Sequence, residues 1–400
     1  MKLASRLEAI DPFYVMEMAK AARALAEGPD CDPQRGGEPM IYLNIGEPDF
    51  TAAAGVVEAA SACLKAGRTQ YTPSTGLPAL RQAISRWYQQ RWQLEVAPER
   101  ILITSGASAA LQLITLALVD AGDEVLMPDP SYPCNRQFVN AAEGRAVLLP
   151  CDAEQRFQLT LAQVQDHWNE RSRGVLLASP SNPTGTSMPA REMGQLYQWV
   201  TQQGGITLVD EIYLGLSFDA AYGQTALALD DGVISINSFS KYFNMTGWRL
   251  GWLVVPEALL APIERLAQNL FICASAIAQH AALACFETES LSLYEARREQ
   301  FKARRDFFVP ALQSAGLQVP VMPDGAFYAW ADCSALCQRL GLSGSWDLAF
   351  ELMRRVGVAA TPGRDFGQHG TEQHIRFSTA SSMAQLEDAA QRLRRLWEGA

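Results

Sequence analysis

The 400-residue chain has no uninterrupted apolar run of about 18 residues, the length a helix needs to cross a bilayer, so no membrane span is expected. Histidine is scarce: the four present (His167, His280, His369, His374) form no His-Glu-x-x-His pair. Eight cysteines are scattered without a Cys-x-x-Cys spacing, and the only close pair, Cys333 and Cys337, lies i,i+4. No metal is expected, and the cysteines read as buried reduced thiols. Basic residues are in deficit, 33 Lys and Arg against 43 Asp and Glu for a net charge of −10, which argues against a nucleic-acid partner. Internal repeats and low-complexity tracts are absent. The segment Met1–Leu25 lacks the basic start and unbroken apolar stretch of a signal peptide, being interrupted by Glu8, Asp11 and Glu17. A soluble, cytoplasmic protein is the expectation.

Apolar residues make up 48% of the chain, enough for a large core, and the length predicts two or three domains at about 150 residues each. After an expected helix over Pro12–Ala26, a rhythm of short apolar runs begins near residue 100. Ile101–Thr104, Glu124–Met127, Arg145–Leu149, Val175–Ala178, Ile206–Val209, Val233–Ile236 and Leu250–Val255 read as seven buried strands. Most show little polar alternation, as a sheet covered on both faces requires. Helical candidates such as Ala109–Val119 and Pro189–Gln203 lie between them, so the fold class is α/β with a mostly parallel seven-stranded sheet. The texture changes near residue 290. A long helix over Leu291–Ala315 is expected to carry Arg297, Arg298, Lys302, Arg304 and Arg305 on its wet side. Strand candidates Phe327–Trp330 and His374–Ser378 and a terminal helix Met383–Trp397 then suggest a smaller α+β domain. The expected division is 1–45 as a segment joining the small domain, 46–285 as the large domain and 286–400 as the small domain.

Parallel sheets bind ligands at the carboxyl ends of their strands, which directs attention to what stands there. Thr104-Ser105-Gly106-Ala107-Ser108 follows the first strand and opens a helix, where small residues let backbone N–H groups approach an anion. Tyr132 follows the second strand, Asn182 sits in a Pro- and Gly-rich turn after the fourth, and Asp210 ends the fifth. Lys241 ends the sixth, with Arg249 shortly after. Taken singly, each has an ordinary explanation: a strand–turn–helix joint, a packed loop aromatic, a tight turn, a helix N-cap, a solvated charge.

Taken together and in this order, they resemble the fold-type-I pyridoxal-phosphate enzymes, and specifically the class I/II aminotransferase family. The matching stretches are Asn44-Ile45-Gly46-Glu47-Pro48-Asp49, Tyr71-Thr72-Pro73-Ser74-Thr75-Gly76, Ser105-Gly106-Ala107, Ser181-Asn182-Pro183-Thr184-Gly185, Asp210-Glu211-Ile212-Tyr213, Ser238-Phe239-Ser240-Lys241 and His374-Ile375-Arg376-Phe377-Ser378. The resemblance implies a transaminase with pyridoxal 5′-phosphate as cofactor, bound as a Schiff base on Lys241. It implies Asp210 at the pyridine nitrogen and Asn182 and Tyr213 at the ring's phenolic oxygen. Tyr132 takes the stacking position. The phosphate is expected on Gly106, Ala107 and Ser108, with Ser238 and Arg249 closing the cup. Tyr71 is expected to reach the phosphate of a neighbouring subunit, which implies a homodimer with shared active sites. Arg376 would grip the substrate carboxylate, with Gly46 and Asn182 on its other side.

The substrates implied are an L-amino acid and a 2-oxo acid such as 2-oxoglutarate or pyruvate. Relatives specific for dicarboxylates place a second cation on the side-chain carboxylate; one bacterial aspartate subgroup has a Lys where this chain has Ser108. Phe13 and Tyr14 fall where relatives line the side-chain pocket, and an apolar lining favours an apolar or aromatic monocarboxylic donor. An aspartate aminotransferase and a C–S β-lyase on the same scaffold remain the alternatives. A cofactor-binding regulator is disfavoured, because no basic extension precedes residue 40.

Overall fold

The computed structural model describes residues 2–12 and 14–399. A two-residue strand, β1 (Ile41–Tyr42), precedes the main sheet of β2 (Ile101–Thr104), β3 (Glu124–Asp129), β4 (Arg145–Pro150), β5 (Ser172–Ala178), β6 (Ile206–Asp210), β7 (Ile234–Ser238) and β8 (Gly251–Val254). The seven pair in the order β2-β8-β7-β6-β5-β3-β4. All neighbours are parallel except β8, which is antiparallel to both β2 and β7. Side chains alternate between the two covered faces of this sheet. Ile101, Ile103, Leu126, Val175, Leu177, Val209, Trp252 and Val254 enter one; Leu102, Val125, Met127, Leu176, Leu208 and Leu253 enter the other. Successive residues of a strand point to opposite faces, and both faces here are covered by apolar partners. That is why the sequence shows continuous apolar runs rather than alternation.

A second core surrounds a three-stranded sheet in the order β11-β12-β9, made of β9 (Tyr328–Asp332), β11 (Thr361–Pro362) and β12 (His374–Ser378), with β10 (Val358–Ala359) pairing β1 alongside. Met18 and Ala22 of the first helix (Tyr14–Ala26) pack into it, together with Leu386, Ala389, Leu393 and Leu396 of the terminal helix (Met383–Glu398). Those four recur at helical spacing and give that helix one apolar face. The helix Thr288–Ser314 joins the two bodies: Tyr294 and Phe301 belong to the first core, Phe308, Val309 and Leu312 to the second.

This joining corrects one expectation. Arg304 is not on a wet face but buried. Its Nη1 and Nη2 donate to the two carboxylate oxygens of Asp49 at 2.8 and 2.9 Å, and Nη1 also reaches the Ala380 carbonyl. Its guanidinium lies 4.8 Å over the Phe50 ring. Arg297, Arg298, Lys302 and Arg305 are half-buried. A helix wedged between two cores has no single solvated stripe, so its charges are taken up by carbonyls and carboxylates on either side. Among the described residues, no helix is long and apolar enough to cross a membrane.

Candidate active site

The carboxyl ends of β3, β5, β6 and β7, the helix after β2 and the edge of the three-stranded sheet converge on a cavity of about 280 Å³. Its wall brings together Gly46, Ala107, Ser108, Tyr132, Asn182, Asp210, Tyr213, Ser238, Lys241, Arg249 and Arg376. Residues up to 330 positions apart in the chain thus meet because every parallel strand delivers its following loop to the same end of the sheet.

One end of the cavity is built for an anion. The helix Gly106–Leu118 begins here, and its N-cap, Ser105, makes no side-chain capping bond. The first N–H groups of a helix lack intrahelical partners and carry the positive end of its dipole. Gly106 adopts φ +82°, and a Cβ there would stand 2.8 Å from Arg249 Nη2, so only glycine lets the guanidinium close on the helix start. Arg249 itself lies in the left-handed region at φ +51° and donates from Nη1 to the Thr246 carbonyl. Ser238 Oγ and Ser240 Oγ, 2.9 Å apart, add hydroxyls beside it.

Lys241 stands half-buried at the centre, and its Nζ donates to the Gly46 carbonyl at 2.5 Å. Burial pushes its ammonium down to about 8, opposed by Glu47, which favours the charged form. Asp210, at the end of β6, is pushed up to about 6 by burial, against the pull of the Ile212 N–H at 3.1 Å and of Lys241. No salt bridge reaches its carboxylate among the described residues. A buried acid with one backbone donor and no contacting cation is suited to a cationic ligand.

At the opposite end, Arg376 on β12 donates from Nη1 to Asn182 Oδ1 and from Nη2 to the Asn44 carbonyl, both at 2.7 Å. Its guanidinium is sandwiched between the rings of Tyr328 (4.5 Å) and Phe366 (4.8 Å). Its Nε is buried and makes no hydrogen bond among the described residues.

Three expected residues stand elsewhere. Tyr71 is 79% exposed and does not line this chain's cavity. Tyr14 packs its ring edge-on against Trp346, 5.8 Å between centroids, while its neighbours Val15 and Met16 line the cavity instead. The reason is a long-range anchor: Asp365 accepts the N–H groups of Tyr14 and Val15, which fixes the start of that helix and its rotation. Phe13 lies outside the described residues. Gly106 sits behind the wall, under Arg249. The structure also places Ser240, Tyr328, Ile45, Val15 and Met16 on the wall, none of which the sequence singled out for a role. Ser240 had a signal, since it belongs to the Ser-x-Ser-Lys stretch. Tyr328 had none, because its partners lie far away in the chain.

The family model for aminotransferase class I and II matches residues 38–393. The chain is a class I/II aminotransferase. It is 35% identical over 386 residues to a valine–pyruvate aminotransferase of Mycobacterium tuberculosis, covering 96% of each chain. It is 32% identical over 401 residues to an aspartate aminotransferase of Rhizobium meliloti, covering 98% of this chain and 95% of that one. A crystal structure of an aminotransferase from Mycobacterium tuberculosis superposes with a TM-score of 0.91 at 34% identity over the whole of both chains. Aspartate aminotransferase from Thermus thermophilus with maleate superposes at 0.89, with 29% identity, over 99% of this chain and all of that one. Class I/II aminotransferases use pyridoxal 5′-phosphate. In this aminotransferase the donor set suits that group: an uncapped helix start and an arginine for a phosphate, a buried acid for a ring nitrogen, and a half-buried amine for an aldehyde.

Proposed function

We propose that this aminotransferase holds pyridoxal 5′-phosphate in the central cavity and transfers the amino group of an apolar or aromatic monocarboxylic L-amino acid to a 2-oxo acid such as 2-oxoglutarate or pyruvate. One observation carries the substrate assignment. The charged groups on the cavity wall are Asp210, Lys241, Arg249 and Arg376, and each has a task in binding the cofactor or the α-carboxylate. Among the described residues of this chain, no cation on the wall is left over for a second carboxylate, and the wall formed by Val15, Met16 and Ile45 is apolar. The valine–pyruvate activity in the name of the Mycobacterium tuberculosis relative agrees with that reading.

When bound, the cofactor supplies an electron-withdrawing aromatic aldehyde. The protein does the rest. Lys241 would anchor the aldehyde carbon through its neutral amine, which burial makes available. The same Nζ, once free, would move the proton of the substrate Cα, general acid–base work by one positioned group. Asp210 would keep the ring nitrogen protonated. Asn182 and Tyr213 would donate to the ring oxygen, and Tyr132 would cover the ring face. The N–H groups of Gly106, Ala107 and Ser108, with Ser238 and Arg249, hold the phosphate. Arg376, flanked by Gly46 and Asn182, takes the α-carboxylate as a planar fork, which aligns the Cα with Lys241.

We also propose a homodimer whose sites are shared, Tyr71 of each chain reaching the other's phosphate; its 79% exposure in the single chain supports this. The division into 1–45, 46–285 and 286–400 is proposed on the two separate cores, with Met18, Ala22 and Ile41 packed in the second.

A half-reaction screen tests the substrate. The cofactor-loaded protein, mixed with single amino acids, should lose its visible absorbance with valine, leucine, methionine or phenylalanine and respond far more slowly to aspartate. Fastest loss with aspartate would replace the apolar assignment by the dicarboxylate one. Arg376→Ala should raise the KM for amino acids by about 10²-fold or more, since it removes two hydrogen bonds to a charge at roughly 1.5–3 kcal/mol each, while cofactor stays bound. An unchanged KM in steady-state kinetics would remove Arg376 from the carboxylate site.

A further inference from the structure

We infer that Tyr328 is a positioning residue for the transamination: its hydroxyl fixes the direction in which Tyr213 donates its proton. The inference rests on the cofactor reading above and deepens it. Tyr328 opens β9 in the second body, and Tyr213 follows β6 in the first. Their hydroxyl oxygens are 2.7 Å apart and both side chains are buried. In a pair of hydroxyls, one proton lies between the oxygens and the other points away, so the surroundings decide which tyrosine donates.

Three observations decide it here. First, the Tyr328 hydroxyl rests against bare backbone: a Cβ on Gly46 would stand 1.9 Å from its oxygen. Second, among the described residues, Tyr213 is the one hydrogen-bond partner of the Tyr328 hydroxyl. Third, both tyrosines line the cavity, but the Tyr328 hydroxyl is set against Gly46, which leaves Tyr213 to present its proton to an anionic ring oxygen there. Tyr328 therefore donates to Tyr213, and Tyr213 donates into the cavity. Its ring is braced edge-on by Phe327 at 5.4 Å and 88°. Accepting one hydrogen bond makes a hydroxyl a stronger donor of its own. The Tyr328 ring also lies 4.5 Å under the Arg376 guanidinium, so one side chain touches both the residue assigned to the ring oxygen and the one assigned to the α-carboxylate. The titratable groups facing the pair are Tyr132, Asp210, Lys241 and Arg376.

The test is a pH titration of the visible absorbance of the cofactor-loaded protein without substrate. Weakening a donor to the ring oxygen makes that oxygen hold its shared proton more tightly and raises the midpoint. Tyr213→Phe should raise it most. Tyr328→Phe, which keeps the ring under Arg376, should raise it by a smaller amount, about threefold in proton affinity, as expected for loss of cooperative strengthening alone. The double variant should match Tyr213→Phe, because Tyr328 acts only through Tyr213. Tyr328→Leu should shift the midpoint as Tyr328→Phe does and in addition raise the amino-acid KM, so failure of one variant to fold leaves the other to decide. A Tyr328→Phe or Tyr328→Leu midpoint equal to wild type, or a double variant shifted by the sum of the single shifts, would overturn the inference. A wild-type protein that takes up no chromophore would instead refute the cofactor reading.

Discussion

Lys241→Ala is expected to abolish transamination, lowering kcat by about 10⁴-fold or more, the upper end of what one positioned acid–base group contributes. The loss has two sources. The cofactor would be held only by its phosphate and ring contacts, and among the described residues no other amine lines the cavity to move the Cα proton. Borohydride treatment of the wild-type protein should fix the cofactor on the peptide containing Lys241, and on no peptide of the variant. The unloaded wild-type protein should capture cofactor faster as pH rises. Burial holds the ammonium near 8, so the amine is mostly charged and unreactive below that pH and mostly neutral above it. Capture rate, followed by absorbance, should climb through about pH 8 and level off. Label recovered on another lysine, or full activity in Lys241→Ala, would end the proposed mechanism.

Asp210→Ala is expected to lower kcat by about 10³-fold, the loss typical of one preorganised electrostatic group at a reacting centre. The effect should exceed that of a lost hydrogen bond, because the carboxylate compensates a positive charge inside a buried cavity. Burial pushes its carboxyl up to about 6, against the pull of the Ile212 N–H and Lys241, so it is ionised at neutral pH and becomes protonated as pH falls below about 6. Cofactor affinity of the wild-type protein should therefore weaken on the acid side of pH 6, and that dependence should vanish in Asp210→Ala. Equilibrium dialysis of the cofactor across pH 5 to 8 distinguishes the two. An Asp210→Ala variant with wild-type kcat would remove this acid from the ring nitrogen.

Much of this molecule was legible before its structure. All seven strands of the main sheet were marked by apolar runs, most bounded within a residue or two, because a sheet buried on both faces demands such runs. The residues at the strand ends were legible too: local spacing puts Asp210 at the end of β6 and Lys241 just past β7. What sequence pattern could not show was anything requiring two distant segments to meet. Helical periodicity sees only its own helix and so puts Arg304 on a solvated face; its partner, Asp49, lies 255 residues away. The resemblance puts Tyr14 at the side-chain pocket, but Asp365, 351 residues on, holds the helix so that Val15 and Met16 face it. The Tyr213–Tyr328 hydrogen bond likewise joins two bodies across 115 residues. The family, the sheet and the chemical inventory of the site were set by local composition and spacing, since burial and strand ends are near-neighbour properties. The direction of each hydrogen bond, the identity of the pocket wall and the burial of Arg304 were settled only when the two cores packed together, since those depend on which surfaces exclude water from each other.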